Sequence, residues 1–143
     1  MAISSAVCTS FKVEILKGVH NLTASSGDTF KLALYTSDAS LGASTTAYTT
    51  SNEVSGSGYT AKGNALTSVT PVADSTTAVC DFADTSFTSA SFTARGCLIF
   101  NEDATGDPAV CAIDFGGDKT VSSGTFTIQF PAAAASTAII RIA

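Results

Sequence analysis

The sequence "SFTARGCLIFNEDATGDPAVCAIDFGG", residues 91–117, contains the clearest strand pattern of the chain. Its first part alternates between apolar and polar or small side chains and then becomes fully apolar, which indicates a half-buried strand entering a core. One face of that strand carries Phe92, Ala94, Gly96, Leu98 and Phe100. Residues 101–108 are polar and predict a turn, and the apolar run after them predicts the returning strand.

Other parts of the chain have the composition or the alternation of strands. They are "DTFKLALYTS" (28–37), "NALTSVTPV" (64–72), "STTAVCDFAD" (75–84), "DKTVSSGTFTIQFP" (118–131) and "STAIIRIA" (136–143). Pro71 predicts an edge strand or a bulge. Because strands and helices do not alternate, a parallel sheet is disfavoured. The sequence therefore predicts a mainly β protein, an antiparallel β-sandwich or jelly roll with one short N-terminal helix.

That helix is predicted in "SFKVEILKGVHNL", residues 10–22. Apolar residues recur there at helical spacing, at Phe11, Ile15, Val19 and Leu22. Gly18 is a residue that commonly ends a helix, so the predicted helix covers residues 10–18. A strand also fits, because apolar residues alternate with Lys12 and Glu14.

Residues 37–65 lose all periodicity and fill with Ser, Thr and Gly, most clearly in "NEVSGSGYTAKG" at 52–63. A loop of this length is uncommon in a compact domain and is often functional. We expect one domain over residues 1–143, with a long polar loop or arm at about 37–65.

The composition argues against several classes of partner. Charged residues make up only 13% of the chain, and the net charge is −5. The seven Lys and Arg residues are scattered, whereas nucleic-acid binding depends on clustered cations, so no nucleic-acid partner is expected. No apolar run approaches the roughly 20 residues of a membrane span, so no membrane association is expected.

The four cysteines, Cys8, Cys80, Cys97 and Cys111, could form two disulfides with three connectivities. None belongs to a C-x-x-C pair, which argues against a zinc site. Three lie in apolar strand-like runs, where a thiol behaves as a small hydrophobe. Because no export signal is apparent, we expect buried, reduced thiols.

No catalytic, cofactor or metal site is predicted. His20 is the only histidine, and no nucleophile motif accompanies it. Glu102, Asp103 and Asp107 form an acidic cluster without the spacing of a calcium loop. No glycine-rich stretch has the context of a phosphate-binding loop. We therefore expect a protein that is not an enzyme and carries no cofactor.

Several of these segments resemble a family of small structural proteins of tailed-bacteriophage virions. The resemblance covers nearly the whole chain and is most specific in "TAYTTSNEVSGSGYTAKG" (46–63) followed by "FTARG" (92–96). It implies no enzymatic activity. It implies foremost a capsid decoration (cement) protein on the outer surface of the virion, assembled in the cytoplasm of the host bacterium. The implied partners are the major capsid protein and further copies of the chain, as a homodimer or homotrimer.

Two other functions stay open. A phage tail or fibre component shares the β class. A carbohydrate-binding β-sandwich ranks lower, because stacking on sugars uses aromatic rings and the chain has no Trp and three Tyr.

The polar segment also supplies the candidate contact residues. As an arm on a partner, it would use Tyr48, Asn52, Tyr59 and Lys62, since tyrosine is enriched at contact hot spots and glycine permits close approach. In the alternative, both tyrosines pack on their own domain.

Overall fold

The computed structural model describes residues 2–143 and confirms the predicted fold class. Strands account for 49% of the chain and helix for 6%, in two antiparallel sheets consistent with a β-sandwich. In chain order the elements are β1 Ala6–Val7, α1 Thr9–Leu16, β2 Phe30–Tyr35, β3 Asn64–Ala65, β4 Ser68–Asp74, β5 Thr77–Phe82, β6 Thr85–Asn101, β7 Ala109–Ile128 and β8 Ile140–Ile142.

The larger sheet has the strand order β1-β7-β6-β2-β3, and the smaller one has the order β4-β5-β8. The predicted hairpin forms the centre of the larger sheet. In it, β6 pairs with β7 from Phe100 opposite Ala109 to Thr85 opposite Ile128. The stretches expected to form two strands after the turn are one continuous strand of 20 residues. The expected boundary at "FGG" is a bulge within this strand, because the ladder moves from Gly96–Asp114 to Ala94–Lys119.

The long hairpin is bent. Phe115 and Phe126 are eleven residues apart on β7, which is about 36 Å in a straight strand, yet their ring centroids are 6.2 Å apart. The pairing with β6 shifts at several points, and Ser89 and Ser123 adopt positive φ angles of 49° and 45° there. Bulges increase local twist and bend a strand, so both arms of the hairpin can contribute apolar rings to one core.

Strand β2 is buried on both faces, whereas its alternating pattern predicts one face turned away from the core. Leu32 and Leu34 are fully buried, and so are Ala33 and Tyr35 on the opposite face. The Tyr35 hydroxyl donates to the carbonyl of Thr49 at 2.7 Å. The 37–65 segment therefore covers the face of β2 that carries Ala33 and Tyr35, which the alternating pattern turns away from the core.

The predicted N-terminal helix is confirmed, and the strand alternative for this stretch is wrong. α1 ends at Leu16, two residues earlier than predicted, and Gly18 follows with a φ of +74°. Glycine reaches this left-handed conformation without steric cost and commonly terminates helices. Phe11 is the buried residue of the helix, while Leu16 is 89% exposed.

Two smaller predictions also agree with the structure. Pro71 lies in β4, an edge strand, where the register shifts between Val69 and Val72. All four cysteines are buried and unbridged. Burial raises the pKa of the Cys80 thiol to about 11 and that of Cys97 to about 12.

Across residues 2–143, no helix has the length and apolar content needed to cross a membrane.

The position of the core predicts a large loss of stability for one leucine truncation and almost none for another. Leu98 is fully buried in β6 and Leu16 is 89% exposed. We expect Leu98→Ala to lower the free energy of unfolding by about 2–5 kcal/mol through lost burial and a cavity. The matched Leu16→Ala change should stay within about 0.5 kcal/mol. Urea denaturation followed by circular dichroism measures both, and equal losses would contradict the placement of the core.

Candidate functional site

The 37–65 segment, which carries the predicted contact residues, lies on its own domain. It leaves the end of β2 and returns as β3, which pairs with β2. Between these points the Val54 N–H donates to the carbonyl of Leu34 at 2.9 Å, and the Tyr48 N–H donates to that of Asp107 at 3.0 Å. These two backbone donors thus bind carbonyls of the chain itself, whereas the arm hypothesis assigns the donors and acceptors of the segment to a partner.

The glycines of the segment permit close approach to the domain's own strands. At Gly58, φ is +79°, and a Cβ atom would lie 2.7 Å from the Cα of Ala90 in β6. At Gly63, φ is +70°, and a Cβ atom would clash with the carbonyl oxygen of Leu32 in β2. Only glycine fits such a backbone contact without strain. The high glycine content therefore has an intramolecular explanation.

Glu53 is the centre of the hydrogen bonds that hold the segment. Tyr48 donates its hydroxyl to Glu53 Oε1 at 2.5 Å, and Tyr59 donates its hydroxyl to Glu53 Oε2 at 2.6 Å. The backbone N–H of Lys62 donates to the same Oε2 at 2.7 Å. Hydrogen bonds to an ionised acceptor are short and strong. We call Glu53, Tyr48, Tyr59 and Lys62 the Glu53 cluster.

Both tyrosine rings of the Glu53 cluster pack on core aromatics. Tyr48 stacks on Phe100, with ring centroids 4.9 Å apart. Tyr59 stacks on Phe87 at 5.6 Å and meets Phe92 edge-on at 6.0 Å. The hydroxyls bind Glu53 while the rings extend the core, which is the usual division of roles for a half-buried tyrosine.

Three of the four predicted contact residues therefore lie together around Glu53, namely Tyr48, Tyr59 and Lys62. The side chain of Lys62 lies 2.8 Å from Asp107 Oδ2. Asn52 lies apart from the cluster, at a φ of +61°, and its amide donates to the carbonyl of Asp38 at 3.2 Å. For Tyr48 and Tyr59, the alternative of packing on their own domain is the one observed. That these four residues also contact a partner stays a prediction.

Glu53 itself was not among the residues predicted from the sequence. It is the only acidic residue between Asp38 and Asp74. A lone carboxylate in a long stretch that contains two tyrosines was the available signal. Sequence spacing did not reveal that both hydroxyls converge on it, since that depends on how the segment folds back.

Burial changes the ionisation of the tyrosines. It is the main cause that raises the pKa of Tyr35, Tyr48 and Tyr59 well above the ordinary value. The hydrogen bond to Glu53 raises the pKa of Tyr48 and Tyr59 further, because a tyrosinate cannot donate and would face a carboxylate. All three hydroxyls therefore stay protonated far into the alkaline range.

Lysines pair with two of the three carboxylates in the acidic cluster at residues 102–107, and Asp103 Oδ2 accepts the N–H of Thr29 at 2.6 Å. Lys31 Nζ lies 3.2 Å from Glu102 Oε2, and Lys62 Nζ lies 2.8 Å from Asp107 Oδ2. Nowhere in residues 2–143 do three or more His, Cys, Asp or Glu side chains form a group suited to a metal ion. The arrangement is that of an ion-paired turn.

His20 is buried in a hydrogen-bonded chain. Its Nε2 lies 2.9 Å from Glu14 Oε1, and its Nδ1 lies 3.1 Å from the amide nitrogen of Asn101. The same amide nitrogen donates to Asp28 Oδ2 at 2.7 Å. Because an amide nitrogen only donates, Nδ1 is the acceptor and Nε2 carries the proton. Both imidazole nitrogens are thus engaged, and His20 joins α1 to the hairpin turn.

Two apolar depressions mark the surface. The larger, of about 490 Å³, lies along β7 and the residues after it. Its lining comprises Cys97, Ile113, Phe115, Lys119, Phe126, Thr127, Ile128, Gln129, Phe130, Pro131 and Ile139, and we call it the β7 groove. The smaller, of about 220 Å³, lies between α1 and the small sheet and includes Phe11, Ile15, Val79, Ile140 and Ile142. We call it the α1 cleft.

Comparison of the chain with models of known protein families, with curated proteins and with solved structures finds no match in any of the three.

Removal of the Glu53 carboxylate should loosen the 37–65 segment. We expect Glu53→Ala to lower the free energy of unfolding by about 2–3 kcal/mol, since two half-buried hydroxyls and one N–H lose a charged acceptor. Glu102→Ala breaks a partly exposed ion pair with Lys31 and should cost under about 1 kcal/mol. Urea denaturation measures both. Equal losses would contradict a central role for Glu53.

The tyrosines also predict the alkaline behaviour of the fold. Their pKa values are higher in the folded chain than in the unfolded chain, where they are about 10. Their contribution to stability is therefore complete below pH 10 and is lost as the pH rises above it. Tyrosinate absorbance should appear in one step together with loss of the β signal in circular dichroism. Ionisation of a tyrosine near pH 10 in a chain that stays folded would contradict the burial of its hydroxyl.

Proposed function

We propose that the chain is a structural protein of a tailed-bacteriophage virion, and within that class a capsid decoration protein. In this function it binds the outer surface of the major capsid protein lattice and stabilises the shell. The resemblance of its segments to such proteins supports the proposal. A mainly β fold of this size agrees with it, since decoration proteins of this size often have β-sandwich or jelly-roll folds.

The observation that carries a binding function is an exposed apolar patch on and after α1. Val13 is 48% exposed, Leu16 89% and Val19 38%. Ile142, which lines the α1 cleft, is a further exposed apolar residue, at 55%. Contiguous exposed apolar groups on a folded protein mark interaction sites. We assign the contact with the capsid lattice to this patch.

The engaged polar groups favour binding over catalysis. Both imidazole nitrogens of His20 have protein partners, and the carboxylates of Glu102 and Asp107 have lysine partners. The chain then stabilises the shell mechanically, through its contacts with the capsid lattice. Each contact is weak, and symmetry repeats it over many lattice sites, so that avidity exceeds the affinity of one contact.

A reconstruction of the particle by cryo-electron microscopy tests the proposed function. We expect density that fits this fold to repeat over the icosahedral shell. Density confined to the tail vertex would overturn the capsid assignment and favour the tail or fibre alternative.

The assigned patch predicts a difference between two added charges. Leu16→Asp places a carboxylate in the patch, and Ala61→Asp places one at an exposed site of the 37–65 segment. We expect Leu16→Asp to weaken binding to shells that lack the protein by roughly tenfold, because an anchor residue is lost and a charge is desolvated. Ala61→Asp should bind as the wild type does. Co-sedimentation at sub-saturating protein measures both, and the reverse result would assign the contact to the 37–65 segment.

A further inference from the structure

The β7 groove is an apolar opening that extends into the core. Its lining comes from β7 and from residues 129–131 and 139, which belong to the segment between β7 of the larger sheet and β8 of the smaller one. Cys97 of β6 also lines the groove and is fully buried. The groove volume of about 490 Å³ falls within the range of about 300–1,000 Å³ that is usual for small-molecule sites. The groove therefore has the size and the depth of a ligand site.

Aromatic and branched aliphatic side chains supply most of the lining. Phe115 and Phe126 lie close together in it, with ring centroids 6.2 Å apart, and Phe130 contacts the core at Phe82, at 5.6 Å. The rings of Phe115, Phe126 and Phe130 are only partly buried in the fold. A hydrocarbon chain that covered their open surface would release water from it, which is the main driving force for binding to apolar sites. Exposed apolar surface of this kind marks binding grooves.

One charge stands in this apolar lining. Among the described residues that line the groove, Lys119 is the only charged one. It is exposed, and within residues 2–143 no carboxylate lies within 4.0 Å of its amine. A cation without a partner beside an apolar groove is complementary to a ligand that is both apolar and anionic.

The neighbouring Asp118 belongs to the other face of the strand. Lys119 stands opposite Ala94 in the ladder with β6, whereas Asp118 Oδ1 lies 3.8 Å from Nη1 of Arg95. Residues that stand opposite each other share a face of the sheet, and successive residues of a strand point to opposite faces. Asp118 therefore pairs with Arg95 on one face, and the amine of Lys119 is left unpaired on the other.

We propose that the β7 groove binds a monocarboxylate of the fatty-acid class. The hydrocarbon chain lies against the phenylalanine and isoleucine side chains of the groove, and the carboxylate pairs with Lys119. The unpaired amine favours an anion over a cation of the same chain length, and the apolar lining favours a long chain over a small inorganic anion. This site is complete in one copy of the chain, so the proposal does not depend on the capsid function.

Titration of the free chain with dodecanoate, followed by calorimetry below the micelle concentration, tests the proposal. We expect one site per chain with a dissociation constant below about 100 μM. Dodecyltrimethylammonium has the same chain with a positive head and should bind roughly tenfold more weakly, because its head faces the amine. Lys119→Gln removes the charge and keeps a long side chain. It should raise the dissociation constant for dodecanoate by roughly fivefold and remove most of the difference between the two probes.

A matched variant and a local readout serve as controls. Lys12→Gln makes the same charge change on α1, at an exposed position, and should leave both dissociation constants unchanged. Isoleucine methyl NMR locates the bound chain, because Ile113 and Ile139 line the β7 groove while Ile15 and Ile142 line the α1 cleft. We expect dodecanoate to shift the methyl signals of the first pair and to leave those of the second pair in place.

Several results would overturn the proposal. One is the absence of saturable binding of dodecanoate, and another is equal affinity of the wild type for the two probes. A Lys12→Gln effect as large as that of Lys119→Gln would assign the preference to net charge. Methyl shifts confined to Ile15 and Ile142 would place the chain in the α1 cleft.

Discussion

The antiparallel pairing of β6 with β7 organises the larger sheet. β1 adds to β7 and β2 adds to β6, so every strand of the larger sheet is placed by this hairpin. Its turn lies beside Asn101, which binds His20 and thereby connects the hairpin to the end of α1. Phe87 and Phe126 are cross-strand partners in this pairing, and with Phe92 they form one aromatic cluster.

The polar 37–65 segment is part of the domain because its polar groups are satisfied there. Leaving a buried hydroxyl or backbone group without a partner costs about 1–3 kcal/mol, and the Glu53 carboxylate satisfies three such donors. Ser and Thr on the outer side replace the charged residues that most proteins expose. The segment thus closes one face of the core.

Much of the fold could be predicted because its signals are local. Alternation along 91–117 indicates the hairpin, Gly18 indicates a helix end, and Pro71 indicates an edge strand. What could not be predicted depends on contacts between distant residues. Ala33 and Tyr35 are buried by a segment whose own sequence is polar, and Ser89 and Ser123 bend strands although serine carries no strong preference for a bulge. The Glu53 cluster could not be predicted from the sequence for the same reason, since its members converge only after the segment folds onto β2 and β6.

Hydrogen–deuterium exchange on the free chain tests most directly the central claim that residues 37–65 belong to the folded domain. The amides of Tyr48 and Val54 donate to carbonyls of the domain, so we expect their exchange to be slowed as strongly as that of the β2 amides beside them. Local opening would then need much of the free energy of global unfolding. Exchange of both amides at the rate of an unstructured peptide, in a chain whose β6 and β7 amides stay protected, would contradict the account and favour a free arm.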